Sequence, residues 1–567
     1  MKKILTILIF VSASLALKAQ QGMPQTFCNP INISYQFSLE KPSRRSAADP
    51  VIILYKDNYY LFATSSGGYW HSKDLLDWAF VTTKDLPFEK DAPAAAVING
   101  SLYFMPINSN IIYKAVDPIK GQWEVYNHSF PLSVGDPDLF EDTDGKVYLY
   151  YGSTNNGYLK AIELDANNKL NPIGEPVDVV RGNPEMRGWE RSGDYNTLPG
   201  RPWTEAPWMT KHNGKYYYQY SAPGTQYKSY ADGYYVAEKP LGPFTYSQTN
   251  PFSAKPEGFI SGAGHAATFT DKYGNYWRIV TMIISVKHKF ERRLGLIPVT
   301  FDKDNNMIAH TEFADYPMVM PSHKIKDVAE LFPGWMLLSY KKPTKASSSL
   351  EKNLSSLAVD EEIRDYWSAK TGKKGEWLSV DLGSKCTVNA IQLNFAENNT
   401  QLFGRARVLA QQYLLEYSND KKTWIKLVDK TTNENDLTHQ YQAFKTPVKA
   451  RYFKVTNYRV PSGTFAISGF RIFGSGNKNK PLKVASFSVV RDVNDTRNVT
   501  LSWKKQPNAI GYNIRFGIKK GQLNRVYQVY DQSELTIRSL NKDQKYWFAI
   551  DSFGENGITK GVEKEAK

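Results

Sequence analysis

One phrase recurs five times in the first three hundred residues: a turn built on Asn, Asp or Gly, then an alternating, aromatic-rich run. It reads KDNYYLFATS from Lys56, INGSLYFM from Ile98, DTDGKVYLYYG from Asp142, HNGKYYYQYS from His212 and DKYGNYWRIVTM from Asp271. The turn residues supply the positive φ of a tight hairpin and the alternation supplies a strand, so each copy predicts a β-hairpin. Copies spaced roughly 40 to 70 residues apart suit one four-stranded sheet per repeat, and five sheets predict a five-bladed β-propeller. A second phrase, SKDLLDW from Ser72, with echoes at Asp117 and Lys239, is expected to form the short turn after a blade's outer strand.

The pattern fades near Phe301, and residues 341–357 (KKPTKASSSLEKNLSSL) are polar and Ser-rich, as a linker would be. Short alternating strands resume beyond it, which predicts two antiparallel β-sandwiches. The expected organisation is all-β: a signal peptide over 1–19, a propeller over 25–340, and sandwiches over 345–475 and 481–567. At 567 residues the chain exceeds one ordinary core, which agrees with three domains. The start, MKKILTILIFVSASLALKAQ, has the basic, apolar and small-residue regions of a secretory leader cut after Ala19, and predicts export to the periplasm or beyond. Its apolar run is too short to span a bilayer, and no later stretch reaches the roughly 20 apolar residues a span needs.

The net charge of +15 would suit a polyanion, but no three basic residues are consecutive, and the lysines sit in turns such as Lys56, Lys146, Lys211, Lys215 and Lys272. No nucleic-acid partner is expected. Cys28 and Cys386 are the only cysteines and fall in different predicted domains, which excludes a CxxC metal site and predicts two unpaired thiols.

Acid and base chemistry on an acetal needs carboxyls brought from separate strands to one cavity. Asp49 (SAADPVIILY) and Asp136 (VGDPDLFEDTDG) each precede a proline just ahead of an apolar strand, and Glu205 (RPWTEAPWMT) stands in an apolar collar of Trp203, Pro207 and Trp208. Such a collar disfavours ionisation, as a general acid requires. All three fall near the starts of inner-strand candidates, whose equivalent ends surround one central pocket. Asp138 and Glu190 compete locally and rank below them, as substrate contacts at best.

At these residues the chain resembles glycoside hydrolase family 43, over roughly Asn29 to Met318: the ADP of blade one, GDPDLFEDTDGKVYLYYG of blade three, TEAPW of blade four, and GAGHAATFTDKYGNYW with RRLGLIPVTFD of blade five. The resemblance implies Asp49 as general base, Asp136 as the carboxylate that tunes and orients the acid, and Glu205 as general acid. It implies inversion, with the base and acid roughly 6.5 to 9.5 Å apart to admit a water. It further implies that His265 faces the sugar or holds a calcium ion or its water at the propeller centre, and that Arg292 touches the sugar; no other cofactor is expected. Trp70, Tyr69, Trp203 and Trp208 are candidate stacking residues, and Asp138 a candidate substrate contact. Asp91 stands where family members often carry Trp, which departs from the usual aromatic wall. The partner implied is an oligo- or polysaccharide, with α-L-arabinofuranoside first and β-D-xyloside second. Galactofuranoside or galactan linkages, or a non-catalytic sugar-binding propeller, are the alternatives. The first sandwich resembles discoidin-like domains, including family 32 carbohydrate-binding modules, through GEWLSVDLG, LLEYSNDKKTW and RYFKVT, and the second resembles fibronectin type III, read as a spacer. A monomer is expected.

Overall fold

The computed structural model describes residues 24–402, 404–405 and 409–566; the expected signal peptide lies outside the described residues. All five hairpin phrases form the first two strands of a four-stranded antiparallel sheet, so the propeller has five blades, the fourth with one extra short strand. The inner strands are Val51–Tyr55, Ala94–Ile98, Asp138–Glu141, Glu205–His212 and Ser261–Thr270. In three hairpins both central residues take positive φ: Lys56 and Asp57, Asn99 and Gly100, Asn213 and Gly214. That is the turn whose twist matches paired strands, which is why the Asx-Gly signal reported the hairpins so well.

The aromatic residues fill the wedges between blades. Phe62, Tyr69, Phe88 and Phe104 pack with ring centroids 5.0 to 5.7 Å apart between blades one and two. The phrase at Ser72 lies between Tyr69–Ser72 and Ala79–Val81, so it leads into the outermost strand rather than following it. Its Asp74 carboxylate accepts from the amides of Leu76 and Asp77, both at 2.9 Å, which makes the turn self-contained. Thr26–Phe27 pairs with Met318–Val319, and the following segment bonds along blade five, Ile31 to Leu294 and Ala47 to Arg292, before entering blade one. The chain thereby staples its last blade to its first.

Residues 341–357 are not a free linker. Met336–Leu337 already pairs with Ala466–Ser475, and Thr344–Ala346 with the long strand Trp377–Ala396. The serines that suggested flexibility are consumed as donors: Ser348 Oγ reaches Glu376 at 2.9 Å. The terminal region likewise is no spacer. Its two sheets, of three and five strands, pack on the propeller through Arg191, which donates to Asp495 at 2.8 Å and to Asn498 at 2.6 Å. Both cysteines are unpaired and buried.

One buried hub ties the three units together. Arg471 is 1% exposed; it makes two bonds to Glu361, at 3.0 and 2.8 Å, and donates to Gln392 at 3.0 Å and to the carbonyl of Asp315 at 2.5 Å. Tyr530 of the terminal sandwich reaches the same Glu361 at 3.4 Å. Removing one partner of such a pair strands the other charge, so Arg471→Met is expected to cost about 3–5 kcal/mol. Denaturant unfolding of the full chain, with intrinsic fluorescence as the probe, checks this; an unchanged midpoint would contradict it.

Candidate active site

Five backbone positions, one per blade, outline the mouth of the central channel. Asp49, Ala92, Asp136, Ala206 and His265 have φ of 51, 38, 41, 57 and 40°, all left-handed. Each lies two residues before an inner-strand residue in regular register: Val51, Ala94, Asp138, Trp208 and Ala267. Four are followed by proline (Pro50, Pro93, Pro137, Pro207), which has no N–H to extend the ladder and bars the α region to the residue before it. Left-handed conformations in non-glycine residues cost on the order of 1–3 kcal/mol each and persist only where the surroundings over-determine them.

Here the over-determination comes from the neighbouring blade. The amide of Asp49 donates to Thr281 Oγ1 at 2.8 Å, that of Ala92 to Thr64 Oγ1 at 2.8 Å, and that of His265 to Ser221 Oγ at 2.8 Å. The amide of Ala206 donates to the Asp136 carboxylate at 3.3 Å. Below Ser221 lies a buried network in which Ser221 donates to Asp232, and Arg278 pairs with Asp232 and with Gln219.

This ring brings the three carboxyls and the histidine together. The ligating atoms of Asp136, Glu205 and His265 all lie within 4.8 Å of one another, and His265 Nδ1 is 3.1 Å from Asp49. Arg292 Nη1 is 3.2 and 3.4 Å from the two Asp49 oxygens, and Thr64 donates to Asp49 at 2.5 Å. Glu205 accepts from Tyr230 at 2.5 Å on one oxygen and from Trp203 Nε1 at 2.7 Å on the other.

The two halves of the site differ in charge. Burial would raise the Asp49 pKa, but Arg292, then His265 and the Thr64 hydroxyl, outweigh it and hold the carboxyl below its ordinary range. Asp136 has no arginine: burial, opposed by His265 and reinforced by Glu205 and Asp49, pushes it up to about 7. The rise on Asp136 comes first from its own enclosure, with Glu205 and Asp49 as further causes. Asp136 therefore holds its proton near neutrality, beside Glu205. Burial alone would lower His265, but the carboxylates of Asp49, Asp136 and Glu205 together raise it.

Other expected contacts lie elsewhere. Asp138 is buried, receives the Met209 amide at 2.7 Å and is pushed by burial up to about 8, so it ties blade three to blade four as a neutral group. Trp70 is fully buried, with its indole on Ser34 Oγ at 3.1 Å. Trp208 donates to the Thr268 carbonyl at 2.9 Å, while Trp203 is 43% exposed beside Glu205. Glu190, fully buried, accepts from Arg187 at 3.0 Å and Tyr220 at 2.6 Å and anchors a loop. Asp91 reaches the site's edge, accepting from Ser65 at 3.3 Å. Thr64, Thr281, Ser221 and Tyr230 were not anticipated. Aligning the five hairpins would have exposed the three hydroxyls, which share one register near the end of the second strand.

For a calcium ion, Asp136, Glu205 and His265 offer two carboxyls and one imidazole whose Nδ1 already lies 3.1 Å from Asp49. Calcium takes six to eight oxygens, so this donor set does not fit it, and no metal step is derived.

A propeller with a pinned, ionised carboxylate beside two further carboxyls, Asp136 protonated near neutrality and Glu205, is the apparatus of a glycosidase. The comparisons agree: residues 42–307 match the model of glycosyl hydrolases family 43, and residues 343–489 match that of the F5/8 type C domain. The chain carries a family 43 glycosidase domain followed by an F5/8 type C domain. It is 24% identical over 274 residues to the Beta-D-galactofuranosidase xynD of Aspergillus niger, covering 41% of this chain and 72% of that protein. It is 31% identical over 150 residues to a beta-xylosidase of Xylanibacter ruminicola, covering 23% of this chain and 42% of the relative. A solved family 43 protein from Bacillus licheniformis superposes with a TM-score of 0.42 at 16% identity, covering 76% of this chain and 98% of that one.

Proposed function

We propose that the protein is an exo-acting, inverting glycosidase that removes terminal sugars from polysaccharide side chains, with α-L-arabinofuranoside as first substrate, β-D-xyloside as second and β-D-galactofuranoside as the alternative. The observation that carries this reading is the division of charge: Asp49 is ionised by Arg292 and His265, while Asp136, beside Glu205, holds a proton. Asp49 takes the proton of a water as its oxygen bonds to the anomeric carbon. Glu205 delivers a proton to the leaving oxygen on the other face, and the glycosidic bond breaks. Asp136 tunes and orients the acid, itself fixed by its bond from the Ala206 amide. His265 and Arg292 keep Asp49 ionised and stand beside the sugar. The sugar assignment is supported by the names of the relatives, a beta-xylosidase and a beta-D-galactofuranosidase among them.

Aryl glycosides of the three sugars, with the first product followed by proton NMR, test this. The inverted anomer is expected to form first; a retained anomer would refute single displacement. The leader-like start supports export, and among the described residues no helix is long and apolar enough to cross a membrane. The terminal sandwich reads as fibronectin type III-like: its sheets run Phe487–Arg491, Val499–Trp503, Glu534–Ile537 and Arg525–Tyr530, Gly511–Gly517, Trp547–Gly554, Gly557–Thr559, a three-plus-four Greek-key order to which Glu563–Glu565 adds a fifth strand beside Trp547–Gly554.

A further inference from the structure

We propose that the F5/8 type C sandwich is a working part of the active site, its Arg405 and Glu362 gripping the two loops that supply hydrogen-bond donors to Asp49 and Glu205. This rests on the family 43 reading of those two carboxyls. Arg405 and Glu362 are positioning residues, since neither touches the reacting atoms.

The first grip lies beside the base. Arg405 donates to Glu89 Oε1 at 2.8 Å, to the Phe37 carbonyl at 2.5 Å and to the Ser65 carbonyl at 2.8 Å. Its guanidinium lies flat on Gly67, where φ is 67° and a Cβ would fall 2.2 Å from Nε, so a residue without a side chain is needed there. Ser65 follows Thr64, the residue that donates to Asp49 and receives the Ala92 amide. The Arg405 contact therefore holds the turn that orients the base.

The second grip lies beside the acid. Glu362 pairs with Lys228 at 2.6 Å, and Arg364 with Asp194 at 3.2 Å; Asp194 in turn receives the Lys228 amide at 2.8 Å. Two residues beyond Lys228, Tyr230 donates to Glu205, and within the same loop Thr225 accepts from Arg292 at 3.3 Å. Between the grips the domains are locked by buried charge. Arg45, four residues before Asp49, pairs with Glu397 at 2.6 Å and Asp436 at 2.8 Å, and Arg293, next to Arg292, donates to His439 at 2.8 Å.

These loops lie outside the blade ladders, so without the grips they open locally at little cost. Misplacing a reacting group by about 1 Å can cost roughly 100-fold in rate. The test uses the full chain with the aryl glycoside the wild type hydrolyses fastest. Arg405→Ala and Glu362→Gln are each expected to lower kcat/KM about tenfold while the unfolding midpoint holds. Arg405→Ala also moves the acid limb of the pH profile upward, because Asp49 loses its bond from Thr64. The paired exchange E89R with R405E recovers most of the loss. Lys426→Ala, an exposed position on the same domain, serves as the control.

Wild-type turnover that vanishes in Glu205→Gln tests the catalytic reading by itself. The NMR titration midpoint of His265, independent of turnover, is expected to shift in Arg405→Ala and to stay in Lys426→Ala. Wild-type rates, limbs and His265 midpoint in both variants would overturn the proposal. So would losses that the paired exchange leaves in place.

Discussion

Glu205→Gln is expected to lower kcat on an arabino- or xylo-oligosaccharide by about 10³-fold or more, because the sugar alkoxide then departs without a proton. On a dinitrophenyl glycoside, whose leaving group needs no protonation, the same variant is expected to lose about tenfold or less. The ratio is diagnostic: a residue needed only for folding or binding would slow both substrates alike. Glutamine keeps the volume of the side chain and an oxygen for the Tyr230 hydroxyl, so the comparison isolates the proton. Equal losses on both substrates would remove Glu205 from the acid's role.

Asp49→Asn is expected to lower kcat by about 10⁴-fold on both substrates, since every turnover requires the water to lose a proton. The wild-type profile of kcat/KM against pH is expected to be bell-shaped. On the acid side it falls as Asp49 takes up a proton, below the ordinary carboxylate range, because Arg292 and His265 favour its ionised form. On the basic side it falls through about 7, where Asp136, beside Glu205, gives up its proton. The residual activity of Asp49→Asn should lack the acid limb and keep the basic one. An acid limb that survives the substitution would place the base elsewhere.

Much of this was legible from local chemistry. Tight hairpins need positive φ, and Asx-Gly steps report it residue by residue, so the five blades could be counted before any contact was known. The Asp-Pro segments were legible too, because proline at a strand's start frees the residue before it from the ladder; in Glu-Ala-Pro that residue is Ala206, and Glu205 itself pairs with Ser221. Where the reading went astray, burial decided. Trp70 and Asp138 carry residue types that suit a sugar site, yet one fills the wedge between blades and the other receives a backbone amide from the next blade. The Ser-rich stretch after Lys341 has the composition of a linker, but its hydroxyls find partners such as Glu376, 28 residues from Ser348.

The sequence alone determined the propeller, the carboxyl trio and the presence of two further β domains, because each is written in turn chemistry and alternation over a few neighbouring residues. Only the tertiary structure decided which carboxyl of the trio is ionised and which holds the proton. That division depends on Arg292, 243 residues from Asp49 along the chain, and on the enclosure around Asp136. It also decided that the sandwiches are built into the catalytic unit rather than tethered to it, through pairs such as Arg45 with Glu397, 352 residues apart. Electrostatic energies depend on distance in space and on burial, and neither is encoded in a window of sequence.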